Sequence, residues 1–149
     1  MSIQVRQATI DDIDAVAPLF DAYRQFYRQP SDPERSRQFL RERQAHCEST
    51  IFLAVDADGA ALGFTQLYPL FSSVRCVRIW LLNDLFVTPA ARKRGVGAKL
   101  LTAAAAFARA NGAASLSLST ASDNTAAQRL YAALGWKRET GFLEYHLPL

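Results

Sequence analysis

Three consecutive cations, Arg92-Lys93-Arg94, run directly into Gly95-Val96-Gly97, and this stretch has the residue types to hold an anion. It follows an apolar run from Leu82 to Val87 that carries one carboxylate, Asp84, and that Thr88-Pro89 ends, since proline brings no N–H to a strand ladder. An alanine-rich helical segment comes straight after it. Glycine lets backbone approach a ligand closely, and a helix start offers unpaired N–H groups and a partial positive charge. Strand, basic turn and helix start together fit a phosphate or pyrophosphate. A surface turn with solvated charges and punctuating glycines is the plainer alternative. Two rival phosphate motifs fall. A Walker-type loop needs Lys-Ser/Thr after its last glycine, where Ala98-Lys99 stand, and a dinucleotide fingerprint needs a further glycine where Leu100 stands.

Asp84 is the second candidate group. Strand alternation puts it on one face with Leu82 and Phe86. An unpaired charge in an apolar strand costs free energy, so Asp84 reads either as a carboxylate that binds a cation or holds a water, or as a strand-end Asp satisfied locally. Tyr23, Phe26 and Tyr27 form an aromatic group near a helix end, suited to core or to ligand contact. His46, in a polar helix end, and His146, in a final strand, read as structural; Glu144 and Tyr145 lie on that same strand.

The chain that must position these groups has 149 residues, one domain's length, and the whole of 1–149 reads as a single domain. Its formal charge of +3 suits a small polyanionic ligand, and the single basic cluster without interleaved aromatics argues against nucleic acid. Cys47 and Cys76 show neither metal-ligand spacing nor a paired framework, so no metal and a reducing, cytoplasmic setting are expected. Met1 to Arg6 lacks a signal-peptide core, and the uncharged stretch Leu100 to Ala108 is too short to span a bilayer.

In order, Ile3 to Ala8 alternates as a strand, and Thr9 with Asp12 forms a capping-box-like start for a helix that Pro30 closes. Ser31-Asp32-Pro33 opens a second, heavily charged helix to about His46. Strands follow at Ile51 to Val55, Ala61 to Phe71 and Val74 to Val87, the first two joined at Asp58-Gly59. Gly95 to Ala110 is the central helix and Leu116 to Thr120 a strand. Asp123 or Asn124 caps a further helix that Gly135 ends, and Trp136 to Thr140 and Phe142 to Leu147 read as two closing strands around Gly141. The order β-α-α-β-β-β-α-β-α-β-β implies one mixed α/β sheet, mostly antiparallel, with helices on both faces.

At this point the chain resembles the GNAT (Gcn5-related) N-acetyltransferases. Their acyl-CoA signature, Arg/Gln-x-x-Gly-x-Gly/Ala after a strand, matches Arg92 to Gly97 in full, and a second stretch matches at Asn124, Leu130-Tyr131 and Gly135-Trp136. The resemblance implies that acetyl-CoA is the acyl donor, with its pyrophosphate cradled by the backbone of Arg92, Lys93, Arg94, Gly95, Val96 and Gly97. It implies further that Leu85, Phe86 and Val87 pair with the pantetheine arm like an added strand, where their strand splays from the next. Asn124 would bond the pantetheine or nearby backbone, and Tyr131 would return a proton to the departing thiolate. Some relatives carry a glutamate at the position of Asn83, which cannot ionise, so Asp84 or a water it holds is the expected base.

Tyr23 to Arg37 looks similar to members described as histone- or polyamine-type acetyltransferases. In that fold the first two helices roof the acceptor cleft, so Trp80 and Asp84 from beneath and Tyr27 from above would make an aromatic pocket with one negative charge. Such a pocket suits a small cationic or amino-acid-like amine. Acetylation of a protein lysine or N-terminus, and a non-catalytic acyl-CoA sensor, are the alternatives. The last hairpin can line the acceptor site, and a homodimer through the apolar C-terminal strands is expected.

Overall fold

The computed structural model describes residues 2–149. They fall into two compact units, one running to Ser119 and one from Thr120 to Leu149.

The first unit is built on a five-stranded sheet in the order β1-β2-β3-β4-β5. Its strands are β1 (Gln4–Gln7), β2 (Thr50–Val55), β3 (Ala61–Ser72), β4 (Val77–Val87) and β5 (Leu116–Ser117). Neighbours β1 to β4 pair antiparallel, and β4 pairs with β5 in parallel. The sheet is therefore mixed and mostly antiparallel, as the element order implied.

Local signals start the helices where the sequence places them. Thr9 and Asp12 make a full capping box around a 3-10 turn, Ile10–Asp12, that leads into α1 (Ile13–Phe26). Asp32 caps α2 (Pro33–Ala45) by accepting from the Arg35 N–H, with proline in its first turn. Gly95 precedes α3 (Val96–Ala110) in the left-handed region, at φ 78°.

The sheet is covered on both faces. Phe20 and Tyr23 of α1 meet Phe64 on one face, at ring-centroid distances of 6.1 and 5.9 Å. Phe107 of α3 meets Phe52 and Trp80 on the other, at 5.5 and 5.1 Å. Ile13, Val16 and Leu40 from the helices close over Ile51, Leu53 and Phe64, and all are fully or almost fully buried.

Register breaks once between β3 and β4. Gln66 pairs with Asp84 and Leu67 with Leu82, so Asn83 is an extra residue, a β-bulge. An inserted residue reverses which side chains share a face. Phe86 and Asp84 point to the α1 face, while Leu82 and Trp80 turn to the α3 face. The expectation that Leu82 shares a face with Asp84 is thereby corrected: simple alternation does not survive the bulge.

The second unit holds α4 (Thr125–Ala133). Asn124, rather than Asp123, is its cap, accepting from the Ala127 N–H at 3.3 Å. Trp136 to Thr140 and Phe142 to Leu147 form no regular strand, against expectation, and β5 ends at Ser117 instead of Thr120. Gly141 instead donates its N–H locally to the Glu139 carboxylate.

Candidate active site

Asp84 is the chemical centre of the α1 face. It is 2% exposed, and its carboxylate accepts from Gln66 Nε2 on one oxygen and from Asn83 Nδ2, at 2.8 Å, on the other. Burial pushes its pKa up, and the hydrogen bonds from Gln66 and Asn83 pull it back only in part. A carboxylate so placed accepts a proton more readily than an ordinary aspartate.

Tyrosines surround it. The Tyr23 hydroxyl donates to the carbonyl of Asn83, the bulge residue, at 3.2 Å. Burial and then the charge of Asp84 raise the phenols of Tyr23 and Tyr68, so both stay neutral. Tyr27 packs edge-to-face on Tyr23 at 5.1 Å and is 53% exposed, the outer ring of this aromatic group.

Trp80 does not join them. It lies against Phe107 on the α3 face with Arg78 stacked over it at 5.5 Å, so its expected place in a pocket with Asp84 and Tyr27 is corrected. The bulge at Asn83 is the cause.

A buried clasp holds the end of α1 over this face. Asp21 accepts from Ser31 Oγ at 2.6 Å, the Asp32 N–H at 2.9 Å and Ser36 Oγ at 2.8 Å, with Arg24 beside it at 3.6 Å. Burial works to raise its pKa, but these donors and the Arg24 charge outweigh it, and the net shift is downward. The clasp ties both helices to their connection, and so fixes where Tyr23 and Tyr27 stand.

Beside Asp84, β4 has an open edge. Hydrogen bonds from β5 and the residues leading into it engage Arg78, Trp80 and Leu81, and β5 pairing stops short of Leu85 to Val87. The Thr88 N–H bonds the Leu62 carbonyl, so alternation turns the N–H and C=O groups of Leu85 and Val87 away from β3. Arg92 Nε donates to the Val87 carbonyl at 3.1 Å, which agrees with that direction. Gly63 makes the close β3–β4 approach possible: a Cβ there would stand 2.6 Å from the Phe86 carbonyl oxygen.

The edge leads to the basic turn. Lys93 and Gly95 both take left-handed backbone, φ 63° and 78°, a curl that points successive N–H groups inward. Arg92, Lys93 and Arg94 are exposed, α3 starts with no side-chain cap, and Arg92 also sits 5.8 Å over the Phe86 ring. Val96 is buried and Gly97 half-buried in the first turn of α3. Tyr131, on α4, stands 6.1 Å from the Trp136 ring within the second unit.

The sequence offered Asp84, the aromatic group Tyr23, Phe26 and Tyr27, and the basic turn as candidates; Gln66 and Tyr68, which the structure sets beside the carboxylate, had no part in that reading. A signal for Gln66 existed: it is a lone amide in the apolar run Phe64-Thr65-Gln66-Leu67. Among the described residues no helix is long and apolar enough to cross a membrane, and no group of three or more His, Cys, Asp or Glu could hold a metal.

The mixed five-stranded sheet with helices on both faces defines an α/β protein. The chain belongs to the acetyltransferase (GNAT) family, whose sequence profile matches residues 16–136, and it is an acetyltransferase. It is similar to the uncharacterized N-acetyltransferase YhfO of Bacillus subtilis (strain 168), 48% identical over 145 residues, 97% of each chain. A probable acetyltransferase of known crystal structure matches with a TM-score of 0.93 at 42% identity, over 98% of this chain and 97% of that one. Aminoglycoside N(6')-acetyltransferase type 1 of Serratia marcescens is 30% identical over 120 residues, 78% of this chain and 82% of its own.

Proposed function

We propose that this protein transfers the acetyl group of acetyl-CoA to the primary amine of a small cationic or amino-acid-like molecule, by direct attack with both substrates bound. One observation carries the reading: a buried carboxylate, Asp84, lies among the phenols of Tyr23 and Tyr68 on the strand whose Leu85 to Val87 edge β5 does not cover.

A primary amine is protonated at neutral pH and must lose a proton before it attacks. Asp84, directly or through a held water, takes that proton, and the rings of Tyr23, Tyr27 and Tyr68 favour the incoming cation. The amine nitrogen then bonds to the thioester carbonyl carbon, and the carbon–sulfur bond breaks. The Val87 N–H stabilises charge on the carbonyl oxygen, and Tyr131 gives its proton to the leaving thiolate. Arg92 to Gly97 hold the pyrophosphate, and Leu85 to Val87 hold the pantetheine arm through main-chain groups. Asn124 contributes through its amide nitrogen, since its oxygen caps α4.

Relatives named for aminoglycosides support a small amine acceptor in place of a histone-type one. Exposed, unpaired Cys47 and Cys76 support a reducing compartment. The exposed apolar side chains Phe142, Leu143, Tyr145 and Leu147 support a homodimer formed through the C-terminal segment, which sedimentation of the purified protein tests.

The functional test is CoA release from acetyl-CoA over a panel of small amines, amino acids and lysine peptides. Tyr131→Phe should lower kcat on the best acceptor by about 100-fold, the size of one general-acid contribution, with acetyl-CoA affinity retained. Tight acetyl-CoA binding with no turnover on any small amine would overturn the small-acceptor reading.

A further inference from the structure

Gln66 lies opposite Asp84 across the β3–β4 pair and is fully buried. Its Nε2 donates to Asp84 Oδ2, while its Oε1, equally buried, has no hydrogen-bond partner. The other carboxylate oxygen accepts from Asn83 Nδ2. Buried polar atoms in folded proteins are normally paired, and an apolar side chain of the same size would fill this place without leaving an acceptor stranded. The stranded oxygen has a use only if the group it faces changes what it needs.

Asp84 is such a group. Ionised, it needs donors. Once it has taken a proton, its O–H needs an acceptor.

We propose that Gln66 is a positioning residue for proton transfer, its amide turning over about the terminal torsion to serve Asp84 in both protonation states. With the carboxylate ionised, Nε2 donates as observed. With the carboxyl protonated, a half-turn brings Oε1 to the place of Nε2, where it accepts the new O–H. That torsion is broad and roughly two-fold, so both orientations occupy one volume. The balance is one proton: it leaves the substrate ammonium, resides on Asp84, and passes to solvent after product departs. The proposal rests on Asp84 being the proton acceptor of the reaction.

The other titratable groups facing Asp84 are the phenols of Tyr23 from α1 and Tyr68 from β3, with Arg43 of α2 facing Tyr68. Both phenols are raised further from neutral pH by burial and by Asp84, so neither changes charge where the enzyme works.

Two variants test it, Gln66→Met, which keeps length and loses hydrogen bonding, and Gln66→Glu, which adds a second carboxyl. The readouts are the carboxyl carbon NMR titration of Asp84 in the free protein and the pH profile of kcat/KM. Gln66→Met should move the Asp84 midpoint up by about one pH unit, as expected when a carboxylate loses a donor. It should lower kcat about tenfold or more while KM for the amine stays within about twofold, the pattern of a group that aids proton transfer without binding substrate. In Gln66→Glu the two carboxyls share a proton and the acidic limb moves up further. If Gln66→Met does not fold, Gln66→Glu carries the test. An unmoved midpoint and an unmoved acidic limb in either folded variant overturn the proposal. Full turnover by Asp84→Asn would overturn the base reading itself. In that case a surviving titration shift in Gln66→Met would report coupling without a role in catalysis.

Discussion

Replacing Asp84 by asparagine separates what this residue does for the reaction from what it does to the fold. The carboxylate is buried and held up in pKa by that burial. Between the ordinary carboxylate range and that raised value, the folded state therefore binds more protons than the unfolded chain does. Stability contributed at this site is complete at low pH and falls as pH rises toward and through the raised value. An amide has no such dependence. The new side-chain oxygen can still accept from Asn83 Nδ2, and a flipped Gln66 can offer its stranded Oε1 to the new amide N–H. The flip exchanges one hydrogen bond for another, so the gain is the removed cost of keeping a charge buried, on the order of 1 kcal/mol. For a chain of this length it corresponds to a rise in Tm of roughly 2–4 °C at neutral pH, shrinking toward zero below pH 4. Over the same substitution kcat/KM should fall by about 100- to 10,000-fold, or roughly 3–5 kcal/mol of transition-state stabilisation. Calorimetry across pH and steady-state kinetics read the two effects on one sample. A variant that loses stability at neutral pH, or keeps activity within a few-fold, refutes the reasoning.

Three further outcomes follow from local geometry. Gly63→Ala puts a methyl 2.6 Å from the Phe86 carbonyl oxygen, a backbone atom that cannot step aside, so thermal unfolding should show a loss of about 1–3 kcal/mol. Gly95→Ala meets no atom within 4 Å but must hold φ at 78°, which costs about 1 kcal/mol; calorimetric titration should show weaker acetyl-CoA binding as the turn relaxes. Asp12 accepts two bonds from Arg6, each at 2.8 Å, and its pKa is lowered to about 2, first by that guanidinium. Its contribution is present above the ordinary carboxylate range and is lost as pH falls from about 4 to 2. Because Arg6 is half exposed, Asp12→Ala should cost only about 1–2 kcal/mol, chiefly through the capping box, with the difference from wild type vanishing in acid denaturation near pH 2.

What was legible in the sequence is what is settled locally. Caps at Thr9, Asp32 and Asn124 lie where their types and spacing put them, because each satisfies backbone groups within one turn. The turn from Arg92 to Gly97 was legible for the same reason. The bulge at Asn83 was not, since it exists only in the pairing of β4 with β3, and it moves Trp80 and Leu82 to the far face. The β3 company of Asp84 depends on that same long-range register, so Gln66 and Tyr68 stayed hidden. The closing strands were misread for another reason: alternating apolar patterning at Trp136 to Leu147 describes faces and does not by itself fix a strand.

The central claim is that a small amine, deprotonated at Asp84, receives the acetyl group of acetyl-CoA. Its most direct test is to follow acetylated product by mass and CoA release together, as small amines are added to enzyme saturated with acetyl-CoA. The account predicts equal amounts of both products, on an acidic limb that is absent from the residual activity of Asp84→Asn. Failure to bind acetyl-CoA, or CoA release without any acetylated amine, would contradict it.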